Sequence, residues 1–182
     1  AYTSFDETVY MLMNAPVTQP EIVDSCLLIL HDWSAFLTLS DSMIEKERGI
    51  IREEWRRQAD AQTRLWEQQL PKMYPGSRYA HRLPIGTIDV INNFKPEELR
   101  EYYRKWYVPN NIVICLSGDF DPEQMIATID KYFGDMQPNP DLKYLEPKPE
   151  QPISSPVIKE VLGLEAEHVS IAWRGPGSSH ED

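Results

Sequence analysis

Apolar residues recur every three or four positions along several stretches of the chain, a spacing that predicts amphipathic helices. Capping residues, prolines in first turns and a glycine after a last turn mark where these helices begin and end. Pro71 is expected to end the longest helix, because a proline inside a helix removes a backbone hydrogen bond. The predicted helices span residues 20–36, 43–70, 96–107 and 122–133.

Runs rich in β-branched and aromatic residues lie outside these helices, and they predict strands. Residues 1–13 form the first run, and the wholly apolar segment Ile112–Leu116 predicts a buried strand. Two short strands are expected near Val157–Leu162 and Val169–Trp173. This order of elements predicts an α+β fold in which a sheet and helices form two layers.

Prolines concentrate between residues 138 and 156, where six of them occur. This composition is typical of a semi-rigid, extended linker. The sequence therefore predicts a main part, residues 1–137, then the proline-rich linker, residues 138–156, and a short last part, residues 157–182.

The composition of the 182 residues, with 41% hydrophobic and 26% charged positions, indicates a globular chain long enough for one core. The formal net charge of -11 argues against binding to nucleic acid or to an anionic membrane surface. No apolar run approaches the ~20 residues that a membrane-spanning helix needs. Cys26 and Cys115 lie in apolar stretches and are interpreted as free, buried residues, since their separation does not fit a zinc-ligand pair.

The longest predicted helix has two glutamates on the side where apolar residues are expected. On a wheel of about 100° per residue, its apolar residues fill one arc, and Glu47 and Glu54 fall inside that arc. Arg48 also interrupts the apolar arc, whereas Glu53 falls on the opposite side and is expected to face water. Glu47 and Glu54 are separated by two helical turns, so they lie almost one above the other.

A carboxylate in apolar surroundings needs a cation, a metal ion or a strong donor, because burying it unpaired is costly. One interpretation is structural, with Glu47 and Glu54 paired to arginines such as Arg78 or Arg82. The other interpretation is a metal site. The residue pattern by itself leaves both open.

The segment Glu47–Glu54 resembles the E-R-x-x-x-x-x-E helix of the pitrilysin and insulinase family of zinc peptidases, which includes the mitochondrial processing peptidase. In this family an H-x-x-E-H motif supplies two zinc ligands and the general base. Further segments resemble the family's N-A-x-T strand, its p-i-G-t loop, its Y-x-P-x-N segment and a later strand, in the same order along the chain. They are residues 1–10, 84–87, 102–111 and 171–176.

The resemblance implies a function, a cofactor and roles for particular residues. The intact protein would be an endopeptidase that depends on one bound zinc ion. Its fold would be a mostly antiparallel sheet packed against helices. Glu54 matches the third zinc ligand, and Glu47 matches an acidic residue that supports the site from nearby. A peptide substrate would add as a strand along the edge formed by Ala1, Tyr2 and Thr3.

The H-x-x-E-H motif itself does not occur in this sequence, whose histidines are His31, His81, His168 and His180. The resemblance places that motif upstream of Ala1, so this chain contains no catalytic residue of its own. Residues 1–137 would be the C-terminal part of a first half-domain, and residues 157–182 the first strands of the next. The fragment alone is expected to be inactive, to hold no catalytic zinc, and to self-associate through exposed edges.

The partners implied are peptide substrates, the missing upstream segment and a second homologous half of the parent protein. By analogy with large bacterial members, the periplasm or cell envelope is favoured over the cytoplasm. Two alternatives stay open. The parent protein could be a non-catalytic homologue that acts as a structural or partner subunit, or the chain could be an unrelated interaction module.

Overall fold

The structure of the chain is a computed structural model that describes residues 1–144, 152–153, 155–158, 167, 169–173 and 175. A short hairpin precedes a series of helices, and two 3₁₀ turns lie at Arg78–Ala80 and Pro109–Asn111. The strands and helices are β1 (Tyr2–Thr3), β2 (Thr8–Val9), α1 (Pro20–Ala35), α2 (Asp41–Gln58), α3 (Ala61–Met73), α4 (Ile88–Asn93), α5 (Pro96–Trp106) and α6 (Pro122–Phe133).

The chain forms two compact units. The first contains residues 1–48 and 93–144, and the described residues 49–92 belong to the second. In the first unit α1 packs against α6, with Leu27 fully buried. The hydroxyl of Tyr132 on α6 donates a 2.5 Å hydrogen bond to Asp24 on α1. This bond, and then the contact with Lys131, keeps the pKa of the Asp24 carboxyl below its usual range.

In the second unit, α3 packs against the 3₁₀ turn Arg78–Ala80. The buried residues of this unit are apolar apart from Ser77, whose side chain caps that turn by accepting a hydrogen bond from the amide of Tyr79. The unit therefore has a small apolar core of its own, which consists of Leu65, Leu70, Ala80 and Ile91.

The helix predicted over residues 43–70 is two helices, so that prediction was wrong in its extent. α2 ends at Gln58, and α3 begins after Asp60, whose side chain accepts a 2.7 Å hydrogen bond from the amide of Thr63. Aspartate is a strong capping residue, and its cap competes with helix continuation. Pro71 does not end the helix, because α3 continues two residues further, to Met73.

The predicted strand Ile112–Leu116 was wrong for this part of the chain. Ile112 has an extended backbone (φ −118°, ψ 138°), yet no described strand lies alongside, and Val113 is 86% exposed. A strand needs a neighbour to complete its hydrogen bonds. Val169–Trp173 is likewise not a strand, and most of Val157–Leu162 lies outside the described residues.

The sheet of the described residues consists of β1 and β2 alone. The two-layer arrangement of sheet and helices is therefore not confirmed by this part of the chain, which is mostly helical. The prediction of buried cysteines was also wrong, because Cys115 is exposed and Cys26 is half-buried, although both are free.

Candidate functional site

The start of α2 is fixed by an arginine from α5. Arg100 donates from Nε and Nη2 to the carbonyl oxygen of Leu39, at 3.0 and 2.9 Å. The same guanidinium pairs with Asp41, the first residue of α2. Leu39 has a positive φ of 43°, which is unusual for a residue with a branched side chain. Arg100 therefore holds the tight turn from which α2 begins.

Arg48 fixes α2 about two turns further along. Its Nε and Nη2 each donate a 2.9 Å hydrogen bond to the carboxylate of Glu45, and Nη2 donates a 2.6 Å bond to the carbonyl oxygen of Phe94. The guanidinium carbon lies 3.8 Å from the centroid of the Phe94 ring, a cation–π contact. The hydrogen bond from Arg48 keeps the pKa of the Glu45 carboxyl below its usual range.

Glu47 and Glu54 are both exposed, so the expectation that they lie in apolar surroundings was wrong. Glu54 accepts a 3.2 Å hydrogen bond from the side-chain amide of Gln58, one turn later. Neither carboxylate forms an ion pair with any described residue, which leaves the pairing with Arg78 or Arg82 unsupported.

The arc of α2 that was predicted to be apolar has a packed side and an exposed side, which run parallel along the helix. One side is packed, with Ile44 buried and the other three residues of that side half-buried. The other side is open: Met43 is 60% exposed and Ile50 is 52% exposed, and they share that side with Glu47 and Glu54. We call these four residues the open stripe of α2. The half-buried residues of the packed side are Arg48, Ile51 and Trp55.

The prediction that Glu53 faces water is confirmed. Glu53 is 52% exposed and forms a 3.4 Å ion pair with Arg56, which is 71% exposed. This pair is three residues apart on the solvent face of α2, and a pair of this kind contributes little to stability.

A zinc site needs three protein ligands in a catalytic centre and four in a structural one. Among the residues that the structure describes, no group of three His, Cys, Asp or Glu side chains could hold a metal ion. The carboxylate of Glu54 is exposed and its hydrogen-bond donor is a neutral amide. It fits the role of one ligand in a larger set, and the described residues do not supply the rest of that set.

The hairpin places one strand edge in the open. Tyr2 pairs with Val9 and Thr3 with Thr8, and the amide of Ser4 donates a 2.8 Å hydrogen bond to Glu7. Hydrogen-bonded and non-bonded pairs alternate along an antiparallel ladder, so Thr3 and Thr8 form a non-bonded pair. The backbone N–H and C=O of Thr3 therefore point away from β2, to an edge that no other described strand covers.

Aromatic side chains surround Tyr10, the residue that follows β2. The hydroxyls of Tyr10 and Tyr107 lie 2.5 Å apart, and the rings of Tyr10 and Trp33 are 5.9 Å apart. Burial, and then the hydrogen bond with Tyr10, raises the pKa of Tyr107. Sequence reasoning missed this cluster, because Tyr10 and Tyr107 are 97 positions apart and no local pattern links them.

An open, mostly apolar depression of about 320 Å³ lies beside the hairpin. It is lined by residues from the start of the chain and from α1 and the turn after it. These residues are Ala1, Tyr10, Met11, Trp33 and Leu37.

The second part of the chain matches a known protein family. Residues 93–182 match the family described as "Peptidase M16 inactive domain". The resemblance to the pitrilysin and insulinase type of zinc metallopeptidase is therefore confirmed, and the chain is a relative of the M16 zinc proteases.

Individual relatives agree with this family. The chain is 37% identical over 129 residues to the probable zinc protease PqqL of Escherichia coli, a match that covers 71% of this chain and 14% of PqqL. It is 36% identical to the zinc protease PQQL-like of Arabidopsis thaliana, over 74% of this chain and 14% of that protein. The zinc protease PqqE of Helicobacter pylori is 25% identical over the whole of this chain and 41% of its own length.

A solved structure shares the fold of most of the chain. It is the ferredoxin protease FusC in complex with Arabidopsis ferredoxin, with a TM-score of 0.67 and 29% identity over 72% of this chain. This chain covers 15% of that structure's chain. In the described residues, no helix combines the length and the apolar character that crossing a membrane requires.

Proposed function

We propose that this chain provides the glutamate-ligand helix of a zinc-dependent endopeptidase. The main support for this proposal is the open stripe of α2. Glu54 on this stripe is exposed to solvent, and it forms no ion pair with any described residue. Glu54 would hold the metal, and Glu47, two turns earlier on the same stripe, would support it. Zinc in such a site lowers the pKa of a bound water and polarises the substrate carbonyl.

The remaining ligands and the general base would come from an H-x-x-E-H segment elsewhere in the parent protein. The sequence of this chain contains no such motif. We therefore propose that the chain by itself neither retains catalytic zinc nor cleaves peptides. In the parent protein, the hairpin and helices described here would join further strands to form the two-layer arrangement expected from the sequence.

Substrates of the parent protein would be peptides or proteins that add as a strand along Ala1, Tyr2 and Thr3. The open edge of β1 supports this, since no other described strand pairs with the outward N–H and C=O of Thr3, and an added strand could do so. FusC, with a ferredoxin bound, is an example of a related protease that engages a protein. A second homologous half would close over the substrate, and the same edge would allow self-association of the isolated chain.

The periplasm or cell envelope is the proposed compartment. The similarity to bacterial zinc proteases of the PqqL type supports it.

The decisive experiment is Glu54→Gln in the full-length protein, with Glu53→Gln as the matched control on the same helix. We expect Glu54→Gln to weaken zinc binding by roughly 100-fold or more and to abolish peptide hydrolysis, because removing the charge removes a ligand. Glu53→Gln should leave both unchanged, since Glu53 faces solvent and pairs with Arg56. Zinc content after dialysis and cleavage of a peptide library measure the two effects. Unchanged zinc content in Glu54→Gln would refute the proposal.

A second candidate function is a non-catalytic subunit of the same family. It is favoured by one observation, that the family matching residues 93–182 is described as an inactive domain. On this alternative, the full-length protein contains no zinc, and Glu54→Gln changes neither metal content nor any hydrolytic activity.

A further inference from the structure

Arg48 lies next to Glu47 in sequence but on a different side of α2. On the helix wheel the two differ by about 100°, so Arg48 belongs to the packed side while Glu47 and Glu54 belong to the open stripe. Only 11% of the Arg48 side chain is exposed. The arginine that interrupted the apolar arc in the sequence is thus one of the residues through which the first part of α2, residues 41–48, contacts the rest of the first unit.

The contacts of Arg48 restrict how α2 can turn about its axis. The guanidinium carbon lies 3.8 Å from the centroid of the Phe94 ring, and Nη2 donates to the Phe94 carbonyl oxygen at 2.6 Å. Glu45, which lies on α2 itself, accepts two hydrogen bonds of 2.9 Å from one side of the same group and so fixes its orientation on the helix. A planar group held by a ring, a carbonyl and a carboxylate has a fixed direction, which a lysine ammonium could not reproduce.

Arg100 and Arg48 restrain different motions of α2. Arg100 binds Leu39 and Asp41 at the first turn, which sets where the helix axis begins. Arg48 is attached to one side of the helix, about two turns later, so its contact with Phe94 opposes rotation about that axis. A rotation of about 20° would move a side-chain carboxylate by about 2 Å, since it lies about 5–6 Å from the axis. Metal–ligand distances tolerate about 0.2 Å.

We infer that Arg48 is a positioning residue that sets the rotation of α2 and thereby the direction of the open stripe with Glu54. The inference rests on the proposed function, in which Glu54 is a zinc ligand. It adds a residue that touches neither metal nor substrate and acts through the Phe94 contact. If that contact were lost, α2 could rotate, and the Glu54 side chain would no longer point toward the metal position.

The test uses the full-length protein with Arg48→Met, which keeps the length and apolar stem and removes the guanidinium. We expect zinc affinity, measured by competition with a chelator, to fall by roughly 10- to 100-fold, the range found when groups that orient metal ligands are removed. The visible absorption spectrum of the Co²⁺-substituted protein should shift, and kcat should fall more than KM changes. Arg48→Lys should not restore zinc affinity, because the ring and carbonyl contacts need a planar group.

Arg56→Met is the matched control. It removes an arginine from the same helix and breaks an ion pair of the same i, i+3 spacing, but on the exposed face. Zinc affinity and the Co²⁺ spectrum of Arg56→Met should equal those of the unaltered protein. Thermal unfolding of the metal-free variants separates misdirection of Glu54 from general loss of structure.

If Arg48→Met does not fold, Phe94→Leu provides the second route, since it removes the ring beneath the guanidinium and leaves Arg48 in place. It should lower zinc affinity measurably, by about 3-fold or more, as expected for loss of a cation–π contact. Zinc affinity equal to that of Arg56→Met in whichever variant folds would overturn the positioning role. If Glu54→Gln still loses zinc in that case, the ligand role of Glu54 stands; if it does not, the proposed function itself has failed.

Discussion

At the scale of single residues, the backbone and the side chain of Thr3 have different surroundings. The Thr3 hydroxyl lies 3.3 Å from that of Thr8, inside the hairpin, while the Thr3 backbone groups face the open edge. A peptide that adds to this edge would be bound by the backbone and would not depend on the hydroxyl.

Thr3→Pro in the full-length protein removes the outward N–H at a strand edge, where a proline is tolerated. We expect kcat/KM for peptide cleavage to fall about 10-fold, the effect of one lost backbone hydrogen bond at the upper end of its range. Thr3→Val is the control, because it keeps the N–H and loses only the hydroxyl, and it should retain activity. Equal activity in both variants would exclude strand addition at this edge.

The residue scale also shows what the sequence could and could not predict about the site. The spacing of Glu47 and Glu54 on one side of the helix follows from helical periodicity alone, and α2 does place them on one stripe. Their burial could not be predicted, because periodicity defines a face but not what covers it. The part played by Arg48 was missed for a similar reason, since its partner Phe94 is 46 positions away.

At the scale of elements, helix ends set by local capping were predictable. α1, α5 and α6 occur within one residue of their expected bounds, because proline, capping residues and glycine act on their immediate neighbours. The break between α2 and α3 was not foreseen, although Asp60 is a capping residue at the right place. The predicted strands failed where pairing with a distant segment was required, as at Ile112–Leu116.

Asp60→Ala tests whether the cap holds the start of α3. We expect the melting temperature to fall by about 2–4 °C, the usual cost of a lost N-cap in a protein of this size. Asp119→Ala, which alters an exposed aspartate outside any helix, should change it less. Differential scanning calorimetry at neutral pH compares the two variants, and equal shifts would show that the cap contributes nothing.

The same cap has a defined pH dependence. The hydrogen bond from the Thr63 amide lowers the pKa of the Asp60 carboxyl. A carboxyl with a lowered folded-state pKa contributes stability above its unfolded value, near 3.9, and loses it as the pH falls through the folded value. The difference in melting temperature between Asp60→Ala and the unaltered protein should therefore shrink below about pH 4.

At the scale of the whole molecule, the beginning of the predicted linker is attached to the first unit. The side chain of Asn110 donates to the Asn139 carbonyl oxygen at 2.9 Å and accepts from the Asn139 amide at 3.0 Å. Tyr144 donates a 2.5 Å hydrogen bond to the side chain of Asn111. The Y-x-P-x-N segment therefore does a structural task that its resemblance to the family did not specify.

Asn110→Ala removes both hydrogen bonds to Asn139. We expect chymotryptic cleavage at Tyr144 to become roughly 10-fold faster, because the free energy of local opening falls by about the worth of these bonds. Asn92→Ala, an exposed asparagine that lies at the end of α4, is the control and should leave the rate unchanged. The cleavage rate, followed by mass spectrometry, would be identical in both variants if the attachment had no effect.

The two-part composition of the first unit has a consequence for synthesis. Residues 1–48 leave the ribosome before residues 93–144, which complete their unit. Synthesis adds about 5–20 residues per second, so several seconds pass between the synthesis of α1 and that of α6, which packs against it. Residues 1–48 thus stay incompletely covered until residues 93–144 have been made, and chaperones could bind them during that interval.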